Sequence, residues 1–403
     1  MTSPSGAAHT GARTATRTER LDRLPFTRKH GRMLGVSGLG WALDAMDVGL
    51  VSFLIAALAV HWQLTLGQQS LVASAGFAGM AVGAVLGGIL ADRIGRRLVF
   101  ALTLLVYGLA TGASALATGL VMLVALRIVV GIGLGAELPV ASTLMSEFAP
   151  RKIRGRVVVW LEAFWALGWI LAALIGTYVV ASGPDGWRWA LAIGAVPALY
   201  ALVVRLGMPE SVRYLETAGR EDEAEQVVRS FEASAGLEPG EPPPVADAAP
   251  VSEDAQIPGR ERQSIWSPAL RGRTMALWAV WFCVNLGYYG AFIWIPTLLV
   301  ERGYDLTRSF TFTLIITLAQ IPGYAVSAWL IEVLGRRWTL CIFLAGSAVA
   351  ALLFGTADAT ATIIAFGCLL SFFNLGAWGA LYAISPEIYP TTVRGAGAGS
   401  AAG

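Results

Sequence analysis

Ten stretches of this sequence are long and apolar enough to cross a lipid bilayer, and no other feature limits the fold so strongly. A helix needs about 20 residues to span the hydrocarbon, and in lipid every backbone polar group must be paired within its own segment. The expected spans lie at roughly 34–59, 70–91, 98–118, 120–144, 157–181, 188–206, 274–299, 309–334, 338–356 and 361–385. The sequence therefore predicts an all-α polytopic membrane protein with about ten complete transmembrane helices.

The composition agrees with this prediction and argues against several soluble classes. Charged residues make up 14% of the chain, whereas soluble domains contain about 25%. The net charge of +2 gives no reason to expect a nucleic-acid partner, and the three histidines lie near no other candidate metal ligand. The sequence has no phosphate-binding loop of the G-x-x-x-x-G-K-[ST] type. We therefore expect neither an enzyme nor a cofactor- or metal-dependent protein, and we expect a monomer in the bilayer.

The positions of the basic residues predict the orientation of the chain. Of the 29 Lys and Arg, only Arg188, Arg302 and Arg308 fall in loops on the side opposite the N-terminus, and Arg127 lies within a span. Because cytoplasmic loops carry the excess of basic residues, we expect a cytoplasmic N-terminus in the cell (inner) membrane. The predicted domains are a cytoplasmic tail at 1–33, a six-helix bundle at 34–206, a cytoplasmic linker at 207–272 and a second bundle at 273–403. Within the linker, "REDEAEQVVRSFE" predicts a surface helix.

The two bundles repeat one another in sequence. "SEFAPRKIRG" at 146–155 reappears as "PEIYPTTVRG" at 386–395, and "ADRIGRR" at 91–97 reappears as "IEVLGRR" at 331–337. Both pairs are 240 residues apart, and a common offset indicates parallel structural repeats of six helices. On this offset two further helices are expected near 397–446, so the second bundle is expected to be truncated at the start of an eleventh helix.

Two aspartates lie near the centre of the first span, in "GWALDAMDVGLVSFLIAALAV". Asp44 and Asp47 fall roughly 60° apart on one helix face, and an ionised carboxylate in lipid costs several kcal/mol unless it is paired, hydrated or protonated. Since the two repel, one is expected to hold a proton more tightly than a free carboxyl group. Arg127 in the fourth span offers a planar fork suited to a carboxylate. A fixed ion pair between Arg127 and either aspartate is the structural alternative.

Other polar and aromatic side chains fall at similar depths on different spans. The polar ones suit a central site, although hydrogen bonds between helices explain them too. An aromatic substrate would stack on the rings, but helix packing accounts for any single ring equally well. The residues expected to bind substrate are Arg127, Glu137, Trp165, Asn285, Tyr289, Gln320, Asn374 and Trp378.

Short motifs make the chain recognisable. "GGILADRIGRR" resembles the signature between the second and third helices of the major facilitator superfamily. "RIVVGIGLG" and "PESVRYL" resemble its fourth- and sixth-helix motifs, with Val212 where proline is usual. "GLGWALDAMDVGLVSF", "GAELPVASTLMSE" and "WFCVNLGYYGAFIWIP" are similar to the bacterial niacin permease group, which is related to aromatic-acid:proton symporters. The aspartate pair resembles the D-G-x-D element of those symporters, with Ala45 replacing glycine.

The resemblance implies a major facilitator fold of two six-helix repeats. It also implies alternating access, with proton-coupled import of a small aromatic monocarboxylate such as nicotinate. Asp44 and Asp47 would couple to the proton, and a cytoplasmic cluster would act as a conformational latch, although topology-setting charge is an equal alternative for Arg96 and Arg97. The residues of that latch are Gly88, Asp92, Arg93, Gly95, Arg96, Arg97, Glu147 and Arg154. The alternatives left open are a permease or exporter for another organic anion, cation or drug, and a non-transporting membrane receptor on the same scaffold.

Overall fold

The fold is helical throughout the part of the chain that the structure describes. This computed structural model covers residues 15–237, 264–385, 388–389 and 400, and it has no β-strand in those ranges. Ten helices or pairs of helices in these ranges are long and apolar enough to cross a membrane. The predicted number of spans is therefore confirmed. In the second motif copy at 386–395, the residues that match the first copy, Glu387, Pro390, Arg394 and Gly395, lie outside the described residues.

The α-helices are numbered here in chain order. They are α1 (Arg17–Arg23), α2 (Arg28–His61), α3 (Leu66–Ile94), α4 (Arg96–Ser114), α5 (Leu120–Phe148), α6 (Arg154–Tyr178), α7 (Gly186–Ile193), α8 (Val196–Gly207), α9 (Val212–Thr217), α10 (Glu221–Ser234), α11 (Arg271–Phe292), α12 (Ile295–Glu301), α13 (Leu306–Leu318), α14 (Gln320–Leu334), α15 (Arg336–Gly355) and α16 (Thr360–Ile384). Helices α2 to α8 form the first half, and α11 to α16 the second. The linker end of the bundle is the end where α2 begins and α8 ends; the far end is opposite.

Three spans that hydropathy predicts as continuous are broken in the structure. The sixth span consists of α7 and α8, the seventh of α11 and α12, and the eighth of α13 and α14. Each restart has a proline in its first turn: Pro197, Pro296 and Pro322 respectively. Proline is tolerated there because the first amides of a helix have no partner within it, and it disrupts a helix elsewhere.

The repeat is visible in the helix ends. Gly95 separates α3 from α4 with φ 100°, and Gly335, 240 residues later, separates α14 from α15 with φ 79°. Leu120 and Thr360 begin α5 and α16 at the same offset. Further pairs of ends at this offset are Leu66 with Leu306, Ile94 with Leu334, and His61 with Glu301. The two halves therefore share their turns as well as their motifs.

Glycines bring helices α3 and α5 into backbone contact. A Cβ added to Gly83 would lie 2.1 Å from the Ile132 carbonyl oxygen, and one added to Gly131 would lie 2.1 Å from the Gly76 carbonyl oxygen. Gly135 is equally close to the main chain of α3. Small residues of this kind allow close packing of membrane helices, so α3 and α5 form a closely packed pair.

The two halves meet in the middle of the bundle and at its far end. Helix α12 packs on α2, and α13 packs on α6 and α2. The rings of Phe53 and Phe310 meet edge to face, with centroids 5.1 Å apart. These contacts close the far end between the halves.

A polar cap covers the linker end of the first half. In it, Arg20 of α1 binds Glu225 at 2.9 Å and Glu232 at 2.6 Å, both on α10. Phe231 of α10 is fully buried against the ring of Phe148, at 4.9 Å between centroids. The surface helix predicted within the linker is thus confirmed as α10, and its apolar side docks on the bundle.

Candidate functional site

The first half contains a buried ion pair. An Nη2 hydrogen of Arg127 is donated to Asp47 Oδ2 at 3.0 Å, and Thr111 donates its hydroxyl hydrogen to Asp47 Oδ1 at 2.7 Å. Asp47 is fully buried and Arg127 is 3% exposed. The pair joins α2, α4 and α5. The ion-pair alternative for Arg127 is thus seen, with Asp47 as the partner, while substrate binding by Arg127 stays a prediction.

Arg127 keeps free hydrogen-bonding capacity. Its Nε and Nη1 atoms are buried without a partner. The side chain lines a narrow cavity together with Phe77 and Met80 of α3 and with Ile293, which follows α11 in the second half. Arg127 therefore has two unpaired donors and lines a cavity that Ile293 of the second half also borders.

Asp44 and Glu137 are buried carboxyl groups without hydrogen-bond partners. Neither oxygen of either side chain is paired, and both residues are fully buried. Glu137 Oε1 would lie 3.3 Å from a Cβ placed on Gly40, so its carboxyl group sits against α2, inside the first half. Glu137, which we expected to bind substrate, is thus near the aspartates and not among the aromatic residues of the second half.

Aromatic rings fill the centre of the boundary between the halves. Trp165 of α6 donates its Nε1 hydrogen to the Tyr288 hydroxyl of α11 at 3.2 Å. The Tyr288 ring lies 5.1 Å from Trp378 of α16, and the Tyr289 ring lies 5.1 Å from Phe77 of α3. Three of the predicted substrate residues, Trp165, Tyr289 and Trp378, are thus in one group of contacting rings, which we call the aromatic interface.

The three amide side chains expected to bind substrate lie in different surroundings. Asn285 donates to the Trp281 carbonyl oxygen of its own helix at 2.9 Å, and Asn374 donates to Ser347 at 3.4 Å. Gln320 is fully buried and lies beside the Tyr288 hydroxyl. Only Gln320 therefore adjoins the aromatic interface through its polar end, whereas the other two amides bind within the second half.

One buried acid was missed by the sequence reasoning. Glu162 of α6 is 5% exposed and lies beside the Tyr382 hydroxyl of α16. It is a single carboxylate in the apolar segment "VVVWLEAFWALGWILAALIG". That is the same signal that identified the aspartates of the first span. Applied to the fifth span, it would have identified Glu162 as well.

The expected latch residues gather at the linker end. Glu147 binds Arg96 Nε at 3.2 Å and accepts the Ser211 hydroxyl hydrogen, while Arg96 also reaches Asp92 at 3.3 Å. Gly95 lies against Glu210, whose Oε2 would be 2.6 Å from an added Cβ.

The other latch residues have separate surroundings. Arg154 pairs with Asp22, which precedes the first span. Arg93 is exposed, and a Cβ on Gly88 would meet open space. The sequence reasoning missed Asp22, Glu210 and Ser211, because their partners are more than 60 residues away in the chain.

Comparisons with known proteins agree with this arrangement. The family described as "Sugar (and other) transporter" matches residues 44–403. The niacin transporter NiaP of Acinetobacter baylyi is 47% identical over 380 residues, which are 94% of this chain and 85% of that protein. A Bacillus subtilis protein named for niacin or nicotinamide transport is 44% identical, over 92% of this chain and 84% of that protein.

Solved structures show the same fold. The xylose transporter XylE from E. coli, in a partially occluded inward-open conformation, superposes with a TM-score of 0.69 at 18% identity, covering 93% of this chain and 90% of that one. The fold class predicted from the sequence is therefore confirmed. From the helix count, the repeat and the matched family, the chain belongs to the sugar (and other) transporter family of the major facilitator superfamily, whose members here are membrane transporters and not enzymes.

Proposed function

We propose that this protein is a secondary transporter that imports nicotinate together with a proton. Two relatives, 47% and 44% identical, are named for niacin transport, and the chain covers more than four fifths of each. Nicotinate is a flat aromatic ring carrying one carboxylate, so its site needs a hydrogen-bond donor for an anion and a surface for a ring. The boundary between the halves offers both.

The observation that carries the proposal is the Asp47–Arg127 pair. The guanidinium is held by Asp47 at one nitrogen while its Nε and Nη1 atoms have no partner. A substrate carboxylate that takes these donors competes with Asp47 for the same cation, and charge-assisted bonds of this kind are about twice as strong as neutral ones. Bound substrate therefore weakens the hold of Arg127 on Asp47.

This competition supplies proton coupling. A buried carboxylate that loses its cation costs several kcal/mol as an ion, so Asp47 takes up a proton when the anion binds Arg127. Asp44, three residues earlier and without a hydrogen-bond partner, is placed to pass the proton along. Because the coupling is a free energy between two ligands, bound proton favours bound anion to the same extent. Anion and proton enter together without net charge, so the pH difference and not the voltage drives uptake.

The ring of the substrate would pack on the aromatic interface. Tyr289 contacts Phe77, which lines the Arg127 cavity, and lies 6.3 Å from Trp378 between ring centroids. Stacking on such rings adds about 0.5–1.5 kcal/mol beyond the burial of area. The first half would thus hold the charge of the substrate, and the aromatic interface, with rings from both halves, would hold its ring.

The transport experiment uses the purified protein in liposomes with labelled nicotinate. Accumulation should follow an imposed pH gradient, acidic on the side of entry, and should disappear with a protonophore. A voltage imposed with potassium and valinomycin at equal pH should leave uptake almost unchanged. Uptake that follows the voltage alone, or no binding of nicotinate, would contradict the proposal.

We also propose that the linker end faces the cytoplasm and that the membrane is the inner membrane. The excess of Lys and Arg at this end supports it. In a variant without the native cysteines, Asp222→Cys of α10 should be protected from an impermeant reagent in intact cells. Ser70→Cys of α3 should be labelled. The reverse labelling pattern would show that the linker end faces outward, which contradicts this orientation.

A further inference from the structure

We propose that Glu162 recognises the ring nitrogen of the substrate, and so selects pyridine carboxylates over benzene carboxylates of the same shape. The inference rests on the proposed function, since it assigns a second contact to the same substrate. It gives a role to the one buried carboxyl group of the boundary that the coupling mechanism does not use.

Glu162 lies on the side of α6 that borders the second half. It lies three residues before Trp165, on the same side of α6, and Trp165 binds Tyr288 across the boundary. The Tyr382 hydroxyl of α16 is beside the carboxyl group. The Tyr324 hydroxyl of α14 is within electrostatic range of it. Glu162 therefore has partners in the second half, and it is also within electrostatic range of Asp44 in the first.

Glu162 is also without a cation. Among residues 15–237 and 264–385, the ion pairs do not include it, and a buried carboxylate of this kind is unfavourable as an isolated ion. The neighbouring side chains that act on it are tyrosines and Asp44, none of which carries a positive charge. The group is thus suited to share one proton with a ligand instead of forming an ion pair within the protein.

Tyr289 connects Glu162 with the anion end of the site. Its hydroxyl is within electrostatic range of both Asp44 and Glu162, and its ring contacts Phe77 of the Arg127 cavity. A ligand lying along Tyr289 with its carboxylate toward Arg127 would direct the opposite side of its ring toward Glu162. In pyridine-3-carboxylate that side of the ring includes the nitrogen.

The chemistry distinguishes nitrogen from carbon at that place. A pyridine nitrogen accepts a hydrogen bond from a protonated carboxyl group, and a pyridinium N–H donates one to a carboxylate; in both cases one proton is shared. Benzoate offers only a C–H, so the buried carboxyl group loses a partner when benzoate binds. Sites built to hydrogen-bond a substrate group discriminate strongly against analogues without it, and we expect a preference for nicotinate of about 10- to 100-fold.

The test compares wild type, Glu162→Leu and Glu162→Gln, purified in lipid nanodiscs. Binding of labelled nicotinate is measured directly, and benzoate is measured by competition. Glu162→Leu should bring the ratio of the two affinities to within about threefold of one, while benzoate itself changes less than threefold. Glu162→Gln should keep most of the preference, because the amide still donates a hydrogen bond to a pyridine nitrogen.

The other outcomes are distinct. If Glu162→Leu keeps the wild-type ratio, or if both ligands weaken equally, Glu162 does not read the nitrogen and the inference is wrong. If both variants keep the ratio but, reconstituted in liposomes, lose accumulation driven by a pH gradient, Glu162 is a proton carrier and the inference is again wrong. If wild type does not bind nicotinate, the proposed function itself fails, which the variants alone would not show.

Discussion

The two halves have the same helices but different interiors. At the offset of 240 residues, the positions of Asp44, Asp47, Arg127 and Glu137 in the first half correspond to Val284, Gly287, Gly367 and Ala377 in the second. Among the described residues, the buried charged side chains all precede residue 233. The polar side chains buried in α11 to α16 are neutral ones. The second half instead contributes rings such as Tyr288 and Trp378.

This difference shows that the repeat conserves the positions of the helices but not the chemical character of the side chains buried on them. A buried ion pair needs several partners at once, since each charge alone is costly in lipid, so the charges are gathered in one half. The other half is then free to present rings, which pack well at a moving boundary because they need no fixed charge partner. Coupling and ring recognition can thus be altered separately.

Asp47→Asn should have the largest effect. It removes the carboxyl group that takes up a proton when the substrate displaces it from Arg127. Accumulation driven by a pH gradient should therefore fall to that of liposomes without protein. Exchange of substrate for substrate should remain measurable. The matched control is Gly287→Ala at the corresponding place in the second half, where an added Cβ meets Asn374 Nδ2 at an ordinary 3.7 Å. It should change accumulation less than twofold. Equal losses in the two variants would contradict the division between the halves.

Arg127→Lys should come next. An ammonium keeps the charge but loses the fork of the guanidinium, and it cannot hold Asp47 and a carboxylate in the same geometry. We expect nicotinate affinity to fall about 10- to 100-fold, the loss of one or two charge-assisted hydrogen bonds. Equilibrium binding in nanodiscs measures it, and an unchanged affinity would place the anion elsewhere.

Trp378→Ala should weaken binding without uncoupling. The ring contacts Tyr288 and Trp281, at 5.1 and 5.7 Å between centroids. Its loss should raise the half-saturating concentration about tenfold and leave the number of protons per substrate unchanged. The ratio of proton to nicotinate fluxes in the same liposomes checks this. A changed ratio would mean that the second half takes part in coupling.

Arg20→Gln should have the smallest effect, because it acts on the polar cap of the first half, away from the buried ion pair. Burial raises the pKa of Glu225, but hydrogen bonds from Arg20 and Arg229 outweigh it and hold that pKa below its ordinary value. Because the pKa of Glu225 is lowered in the folded state, this group stabilises the fold at pH values above its ordinary pKa of 4.5. That stabilisation is lost as the pH falls through the folded-state pKa. The melting temperature at pH 7 should drop by about 1–3 °C.

The pH dependence is the check on that assignment. The gap between wild type and Arg20→Gln should narrow as the pH is lowered below about 4.5, where Glu225 becomes protonated. A gap that stays constant down to pH 3 would show that Arg20 acts through packing instead.

Much of the fold could be predicted because its signals are local. Each span shows in a window of about 20 residues, and the common offset of two motifs predicted the repeat that Gly95 and Gly335 display in the structure. The breaks were missed because hydropathy averages over a gap of one or two residues, although Pro197 and Pro296 gave a warning.

The site was less accessible to sequence reasoning. Hydropathy identifies a costly charge such as Asp47 but not its partner. Nothing in the sequence around Thr111 indicates that it binds Asp47, because the contact exists only once α4 packs on α2. The pairing of Arg20 with Glu232 joins positions 212 residues apart, which no local pattern encodes. The roles of the aspartates, the substrate residues and the latch remain predictions.

The backbone contact between α3 and α5 also bears on protein engineering. Replacing helix glycines by alanine is a common route to thermostability, with gains of about 0.4–1 kcal/mol at permissive positions. Here the glycines divide into two classes. At Gly83 and Gly135 a methyl group would meet main-chain atoms at 2.1 and 2.0 Å and push the helices apart, whereas at Gly290 of α11 it would meet open space. A stabilised version for crystallisation should therefore be sought among the glycines of the second kind, while those of the first are left untouched.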